Sequence, residues 1–178
     1  MLVRKVFCFE GAHIVRGSVS KKCAMSIHGH SYRAEFLFKC LRLDEAGISA
    51  DFTILKSALQ QAVSLFDHTL LIWRGDKAEY IEAMKSHSDQ YIILPVNPSA
   101  EQIARALLAF ALIATSGVKE LGNVEPFSVI LHETKTGYAQ AFLEDLGDPN
   151  MGGALNIKDF EFSPSLREDA ANFFANAT

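Results

Sequence analysis

Hydrophobic residues alternate with polar ones over two early stretches of the chain and so predict two β-strands. The first stretch, Leu2–Glu10, is rich in Val and Phe, which are residues typical of strands. The second, His28–Leu43, carries an apolar residue at every second position from Tyr32 to Phe38. Because side chains two residues apart share one face of a strand, a single core-facing stripe is predicted there. We expect the two strands to pair as a long hairpin, with residues 14–27 forming the loop between them.

Apolar residues at helical spacing follow in the middle of the chain. After Asp51, a residue type favoured at the N-cap, they recur three and four residues apart as far as Phe66 and predict a first helix. A second helix is predicted to begin at Ser99, which forms a capping-box pattern with Gln102. Gly117 stands where a glycine commonly ends a helix.

The remaining patterns are weaker and predict shorter elements: a helix at residues 77–85 and strands at residues 91–94, 126–133 and 138–143. The well-patterned elements run in the order two strands, two helices, two strands. This order is typical of an α+β fold with an antiparallel sheet of four strands. We treat residues 1–145 as one domain and residues 146–178, which are polar and glycine-rich, as an extension packed on it. A short helix capped by Ser163, with Pro164 at its first position, is expected near the end.

Composition limits the classes of protein to which the chain can belong. It has 178 residues, of which 49% are hydrophobic, and this is enough for one domain with a substantial core. The formal net charge is −4, without a continuous basic stretch, so a nucleic-acid partner is not expected. No apolar run is long enough to span a bilayer, and the first residues lack signal-peptide organisation. Three widely spaced cysteines do not form a disulfide framework, so we expect a cytoplasmic location.

Histidines cluster where the two predicted strands meet the loop. His28 and His30 flank one glycine and project to the same face of a strand, and His13 joins them if the first strand continues through Gly11. Three neutral imidazoles with a fourth position open form the ligand set of a catalytic zinc ion. The alternative is a strand edge with partly solvated histidines, and His13 and Cys23 close by favour the metal site. A second hypothesis is a structural zinc site in which Cys23 is the fourth ligand.

Three further places carry reactive side chains. Cys23, beside two lysines, is either a base or nucleophile or an inert loop cysteine. Asp67 and His68 end the first predicted helix, where they form either an acid/base unit or a solvated helix terminus. Glu133 continues an apolar strand face and could accept two N–H donors from a ligand, unless the strand ends before it and leaves it exposed.

Six short segments together resemble the 6-pyruvoyl-tetrahydropterin synthase and 6-carboxy-tetrahydropterin synthase family. In chain order they are FEGAH, HGHSYR, LDEAGISADFTILK, LFDHTLL, NPSAEQIA and LHETKTGYA, and they span residues 5 to about 142. Each segment alone is a weak signal, whereas six in the family's order are a strong one. The resemblance implies the T-fold, an antiparallel sheet with two helices on one face. It also implies assembly into trimers or hexamers, with active sites between subunits.

The resemblance implies a role for each candidate residue. The zinc ligands would be His13, His28 and His30. Cys23 would be the base that removes a substrate proton, and Asp67 with His68 a second acid/base unit paired with the thiolate of another subunit. Glu133 would hold the amino-pyrimidine edge of a pterin.

The implied reaction is that of a zinc-dependent lyase. It converts 7,8-dihydroneopterin triphosphate to 6-carboxy-5,6,7,8-tetrahydropterin, on the branch that leads to 7-deazaguanines such as queuosine. A pyruvoyl-forming synthase, a relative that cleaves the side chain of dihydroneopterin, and a non-catalytic zinc- and pterin-binding homologue are the alternatives. The chain departs from the family in three ways. Cys23 stands one residue further from His28 than in most carboxy-forming members, the segment between His68 and Asn97 is longer than usual, and the tail is extra.

Overall fold

Seven strands form one mixed β-sheet in the computed structural model, which describes residues 1–175. In chain order they are β1 (Leu2–His13), β2 (His28–Cys40), β3 (Thr69–Trp73), β4 (Tyr91–Leu94), β5 (Val124–His132), β6 (Tyr138–Phe142) and β7 (Glu161–Phe162). Their order across the sheet is β6-β5-β2-β1-β3-β4-β7. The pairs β1–β3 and β3–β4 are parallel and the other neighbouring pairs are antiparallel. The expected sheet of four antiparallel strands is therefore wrong, although the α+β class holds.

The burial and length of the additional strands explain why the sequence pattern predicts too few strands. β3 reads TLLIW and β4 reads YIIL, and both are buried along almost their whole length. Parallel strands that are covered on both faces carry continuous apolar runs rather than an alternating pattern. Periodicity therefore gave only the predicted strand at β4, and it missed β3. The strand β7 has two residues, which is too short for any periodic signal.

Five α-helices complete the described part of the chain: α1 (Lys21–Met25), α2 (Phe52–Ser64), α3 (Ala78–His87), α4 (Ala100–Thr115) and α5 (Arg167–Ala175). The predicted loop at residues 14–27 thus contains the short helix α1. The final helix begins at Arg167 rather than at Pro164, because residues 164–166 form a turn. Within residues 1–175, no helix combines the length and hydrophobicity needed to cross a bilayer.

The ends of the two long helices test the predicted caps. The carboxylate of Asp51 accepts a hydrogen bond from the Thr53 backbone N–H at 2.6 Å, which lowers the pKa of Asp51 and confirms it as an N-cap. Ser99 precedes α4, but its side chain makes no capping hydrogen bond. The predicted capping box is therefore wrong, and Gln102 instead turns towards the tail. Gly117 adopts a positive φ of 74° just after α4, as a helix-terminating glycine does.

The main core lies between one face of the sheet and the helices α2 and α4. Its largest side chains from the strands and helices are fully buried, among them Phe9, Tyr32, Phe36, Phe38, Leu55, Leu59, Phe66 and Phe110. A second, smaller cluster on the opposite face packs β3 and β4 against α3 and includes Leu70, Ile72, Tyr91, Ile93, Tyr80, Ile81 and Met84. The end of the sheet that carries β3 and β4 is thus covered on both faces.

The tail packs against α4 through two sets of contacts. The Phe173 ring of α5 stacks on Phe110, with ring centroids 5.2 Å apart. Arg105 of α4 is buried, and its guanidinium donates to backbone carbonyls of the tail and the residues just before it: Asp145, Leu146, Met151 and Gly153. These contacts hold the tail on the helix layer. The domain boundary at residue 145 stays a prediction, and residues 176–178 lie outside the described range.

Candidate metal centre

The register of β1 and β2 brings three histidine side chains together. His13, the last residue of β1, lies directly opposite His28, the first residue of β2, and Gly11 lies opposite His30. The three ring centroids are 4.6–5.1 Å apart. One ligand atom from each side chain lies within 4.8 Å of the other two. At this spacing three imidazole nitrogens can bind a single ion.

Backbone carbonyls determine which nitrogen is free in two of the three rings. His13 Nδ1 lies 2.7 Å from the Pro98 carbonyl oxygen, and His28 Nδ1 lies 3.0 Å from the carbonyl oxygen of Ser26. Because a carbonyl can only accept, Nδ1 donates in both rings and Nε2 keeps its lone pair for an ion. The Nε2 atom of His30 is buried without a hydrogen-bond partner among the described residues. Since a buried polar atom normally has a partner, this nitrogen fits a role as a metal ligand.

Burial keeps the deepest of the three histidines neutral. His13 is fully buried, and desolvation lowers its pKa to about 4, assisted by the nearby His28 and His30 and opposed by the hydrogen bond to Pro98. The ring is therefore neutral at physiological pH, which is the form that binds metal ions. Beneath it lies Tyr32, whose hydroxyl is 3.3 Å from His13 Nδ1. Burial raises the pKa of Tyr32 far above its usual range, so this phenol stays uncharged.

A carboxylate faces the same nitrogens. Glu133 follows the end of β5 at His132, and its side chain is 29% exposed. Its Oε1 atom lies 3.5 Å from His13 Nε2 and 3.8 Å from His30 Nε2. Glu133 thus lies where it could bind the ion or contact a ligand held by the ion. Its predicted contact with a pterin edge stays a prediction.

The candidate base Cys23 lies in α1 and is half-buried. Its carbonyl oxygen accepts a hydrogen bond from the Val15 N–H at 2.9 Å, which ties α1 to the residues that follow β1. The thiol is free. In the part of the chain that the structure describes, the group of side chains spaced for a metal ion contains three histidines and no cysteine. The role of Cys23 as base stays a prediction.

The side chains of Asp67 and His68 contact each other, whereas adjacent side chains on a helix would diverge. The helix α2 has already ended at Ser64, and His68 adopts a positive φ of 56°, which is uncommon for a residue other than glycine. This conformation places Asp67 Oδ1 3.1 Å from His68 Nδ1. The pair is fixed to β1, because Asp67 accepts from the Glu10 N–H at 2.9 Å and the His68 N–H donates to the Glu10 carbonyl at 2.7 Å.

The side chains of the Asp67–His68 pair are open to solvent in the single chain. The two side chains are 43% and 75% exposed, respectively. Among residues 1–175, no hydrogen bond or ion pair joins the pair to His13, His28 or His30. A groove of about 710 Å³ borders both His68 and His30, and a cavity of this size can hold a small ligand.

Two residues that position the triad carried no signal in the sequence analysis. Pro98 and Ser26 act through backbone carbonyls, which every residue possesses, so residue type does not reveal them. Tyr32 was predicted only as part of an apolar stripe. Its position at the base of the triad follows from its spacing of two residues from His30.

The sequence matches one family of known proteins. The family model described as 6-pyruvoyl tetrahydropterin synthase matches residues 2–144. The 6-carboxy-5,6,7,8-tetrahydropterin synthase of Helicobacter pylori is 32% identical over 170 residues, which cover 94% of this chain and 85% of that protein. The protein of the same name from Aquifex aeolicus is 31% identical over 136 residues, covering 74% of this chain and 82% of that protein.

Solved structures with a similar fold include an uncharacterised protein of Wolinella succinogenes, with a TM-score of 0.61 and 18% identity over 80% of this chain and 98% of that one. The 6-pyruvoyl tetrahydropterin synthase of Plasmodium vivax has a TM-score of 0.58 and 16% identity, covering 79% of this chain and 97% of that one. At such identities the comparison shows the fold alone, which is the predicted T-fold with additional strands at one edge of the sheet.

Removing one imidazole is expected to abolish tight binding of a divalent ion. We predict that His30→Gln lowers the affinity for Zn²⁺ by more than about a hundredfold, because only two nitrogens then remain. Competition with a chromophoric chelator measures this affinity. His87→Gln changes an exposed histidine of α3 and should bind Zn²⁺ like the unmodified protein. Equal affinities for His30→Gln and the unmodified protein would place the ion elsewhere.

The low pKa of His13 predicts that the metal-free protein loses stability in mild acid. The pKa is about 4 in the folded chain and 6.5 for an unperturbed histidine. Between these values the unfolded chain binds the extra proton, so the free energy of unfolding falls as pH is lowered. The total loss is at most about 3 kcal/mol. Urea unfolding between pH 7.5 and 4.5 measures it. His13→Gln should flatten the slope while His87→Gln keeps it, and identical slopes in both variants would refute the assignment.

Proposed function

The chain belongs to the 6-pyruvoyl tetrahydropterin synthase family, and we propose that it is a zinc-dependent lyase that forms 6-carboxy-5,6,7,8-tetrahydropterin. Its substrate would be 7,8-dihydroneopterin triphosphate, and the product would lead to 7-deazaguanines. The relatives that match most of the chain carry the name of the carboxy-forming enzyme. The observation that carries the proposal is the convergence of three imidazoles, with the buried Nε2 of His30 making no hydrogen bond to any of residues 1–175.

Zinc fits this donor set, which lacks the oxygen ligands that magnesium and calcium prefer. His13, His28 and His30 offer nitrogen only, which suits zinc, and a set of three leaves a position for substrate. When bound, zinc would polarise the side-chain hydroxyls of the substrate and acidify the neighbouring C–H. The hydrogen bonds from His13 to Pro98 and from His28 to Ser26 hold these rings in the tautomer that binds an ion.

Protons would be moved by residues of two subunits. Cys23 would accept the proton from the substrate side chain, and His68, oriented by Asp67, would act as the second acid/base group. The exposure of Asp67 and His68 on the single chain supports their serving a site completed by another copy. We therefore propose a trimer or hexamer with active sites between subunits.

Glu133 remains our candidate for binding the pterin substrate. Its carboxylate can accept two N–H donors, which is the pattern that an amino-pyrimidine edge offers. Its position 3.5 Å from His13 Nε2 and 3.8 Å from His30 Nε2 also places it beside the part of the substrate that the ion would hold. The two acceptor oxygens and the position beside the triad fit a role in binding and orienting the substrate.

The alternative reactions depend on the position of Cys23. Its extra residue of separation from His28 would favour simple triphosphate elimination to a 6-pyruvoyl pterin, or binding without turnover, if the thiol is displaced. We also propose a cytoplasmic location, which is supported by the three cysteines, all of them free thiols.

Product analysis tests the proposed reaction. Zinc-loaded protein is incubated with 7,8-dihydroneopterin triphosphate, and the products are identified by mass. Acetaldehyde with a 6-carboxy pterin is the expected result. A 6-pyruvoyl pterin would replace the proposed reaction with the first alternative. The absence of turnover by protein that binds both zinc and the pterin would contradict the enzymatic function.

Mixing two inactive variants tests whether the site is shared between subunits. We predict that Cys23→Ser and His68→Gln each abolish turnover but bind Zn²⁺ normally, because neither residue is a ligand. If Cys23 and His68 of one site come from different subunits, unfolding and refolding the two variants together restores up to about a quarter of full activity by random assembly. The activity of the mixture is compared with that of each variant refolded alone. No recovery would mean that both residues act within one chain.

A further inference from the structure

Arg16 lies in the turn after β1 and contacts three separate elements. Its Nε atom donates to Asp76 Oδ1 at 2.8 Å, and its guanidinium carbon lies 4.8 Å from the centre of the Tyr80 ring. Its Nη1 atom donates to the carbonyl oxygen of Ala24 in α1 at 2.9 Å. The Arg16 and Asp76 side chains are 23% and 9% exposed, so water screens this ion pair less than an ordinary surface pair.

These contacts hold a helix that has little support of its own. The helix α1 has five residues, none of them buried, and so short a helix is not stable in isolation. Two consecutive carbonyls of α1, those of Cys23 and Ala24, accept hydrogen bonds from the Val15 backbone and the Arg16 side chain. The position of the Cys23 thiol therefore depends on how residues 15 and 16 are held.

The backbone of Arg16 is in turn fixed to the metal centre. Asn97 Oδ1 accepts from the Arg16 N–H at 3.1 Å, and Asn97 Nδ2 donates to the Arg16 carbonyl at 2.6 Å. The next residue, Pro98, supplies the carbonyl that accepts from His13 Nδ1. One turn of the chain thus holds both the metal ligand His13 and the residue that braces α1.

We propose that Arg16 is a positioning residue that sets the distance between the Cys23 thiol and the metal triad. Asp76 and Tyr80, which come from the lengthened segment between His68 and Asn97, hold its guanidinium in place. The proposal rests on the proposed function, in which Cys23 accepts a substrate proton. It assigns a role to the segment between His68 and Asn97, which is to hold the residue that braces α1.

The geometry of arginine is essential to this role. The planar guanidinium donates to Asp76 and Ala24 from different nitrogens while its carbon lies over the Tyr80 ring. A lysine ammonium keeps the charge but lacks this fork. Because a displacement of about 1 Å can cost about a hundredfold in rate, loss of the brace should reduce turnover although the metal ligands are intact.

Two measurements on the zinc-loaded protein test the proposal, with Arg16→Lys and Asp76→Asn as variants. Steady-state kinetics should show kcat reduced about tenfold or more in both variants, while KM and the affinity for Zn²⁺ change less than about threefold. Iodoacetamide labelling, mapped by mass to Cys23, should be at least about threefold faster in both variants, because α1 is released. Tyr80→Phe keeps the aromatic face and should match the unmodified protein.

A matched control comes from the same segment. Arg74 donates to the Asp159 carbonyl and, within residues 1–175, makes no hydrogen bond or ion pair with α1, so Arg74→Lys should leave kcat and Cys23 labelling unchanged. Unchanged kcat and labelling in both Arg16→Lys and Asp76→Asn would overturn the proposal. Loss of Zn²⁺ affinity together with kcat would also overturn it, since the role would then be purely structural. The labelling needs no substrate, so it decides the role of the brace even if the unmodified protein converts no pterin.

Discussion

The register between β1 and β2 is the constraint on which the rest of the site depends. It sets His13 opposite His28 and places His30 on the same face, so that three imidazoles converge above Tyr32. A slip of one residue would turn every side chain of one strand to the other face and separate the ligands. The aromatic stripe of Phe and Tyr residues that fills the core opposes such a slip, because the slip would expose it to water. The same hydrophobic pattern that stabilises the fold therefore also fixes the metal centre.

Burial and backbone hydrogen bonding then prepare the ligands. Desolvation keeps His13 neutral, and the carbonyls of Pro98 and Ser26 select the tautomers of His13 and His28. Residues near the Asn97–Pro98 turn connect this centre to α1 and to the segment that carries α3. Parts of the chain that are distant in sequence thus contribute to one small volume around the three imidazoles and the Glu133 carboxylate.

The sequence predicted the elements whose patterns are set by one buried face. The first two strands and the two long helices have such a face, and the α+β class followed from their order. Sequence patterns missed β3, which is buried on both sides and lacks alternation, and β7, which has two residues and pairs with β4. The three histidines could be identified because their spacing encodes a shared face. The contact between Asp67 and His68 could not, because it depends on the left-handed backbone of His68. Nor could Arg16, whose partners come from residues 24, 76, 80 and 97.

In the proposed site three imidazoles, and no thiolate, bind zinc and leave a position for substrate. X-ray absorption at the zinc edge of the zinc-loaded protein tests it most directly. We expect nitrogen and oxygen atoms at about 2.0–2.1 Å from zinc, with the imidazole scattering of three histidines and no sulfur. A zinc–sulfur distance of about 2.3 Å would contradict it. Cys23 would then be a ligand, the site would be closed, and the proposed base would be unavailable for proton transfer.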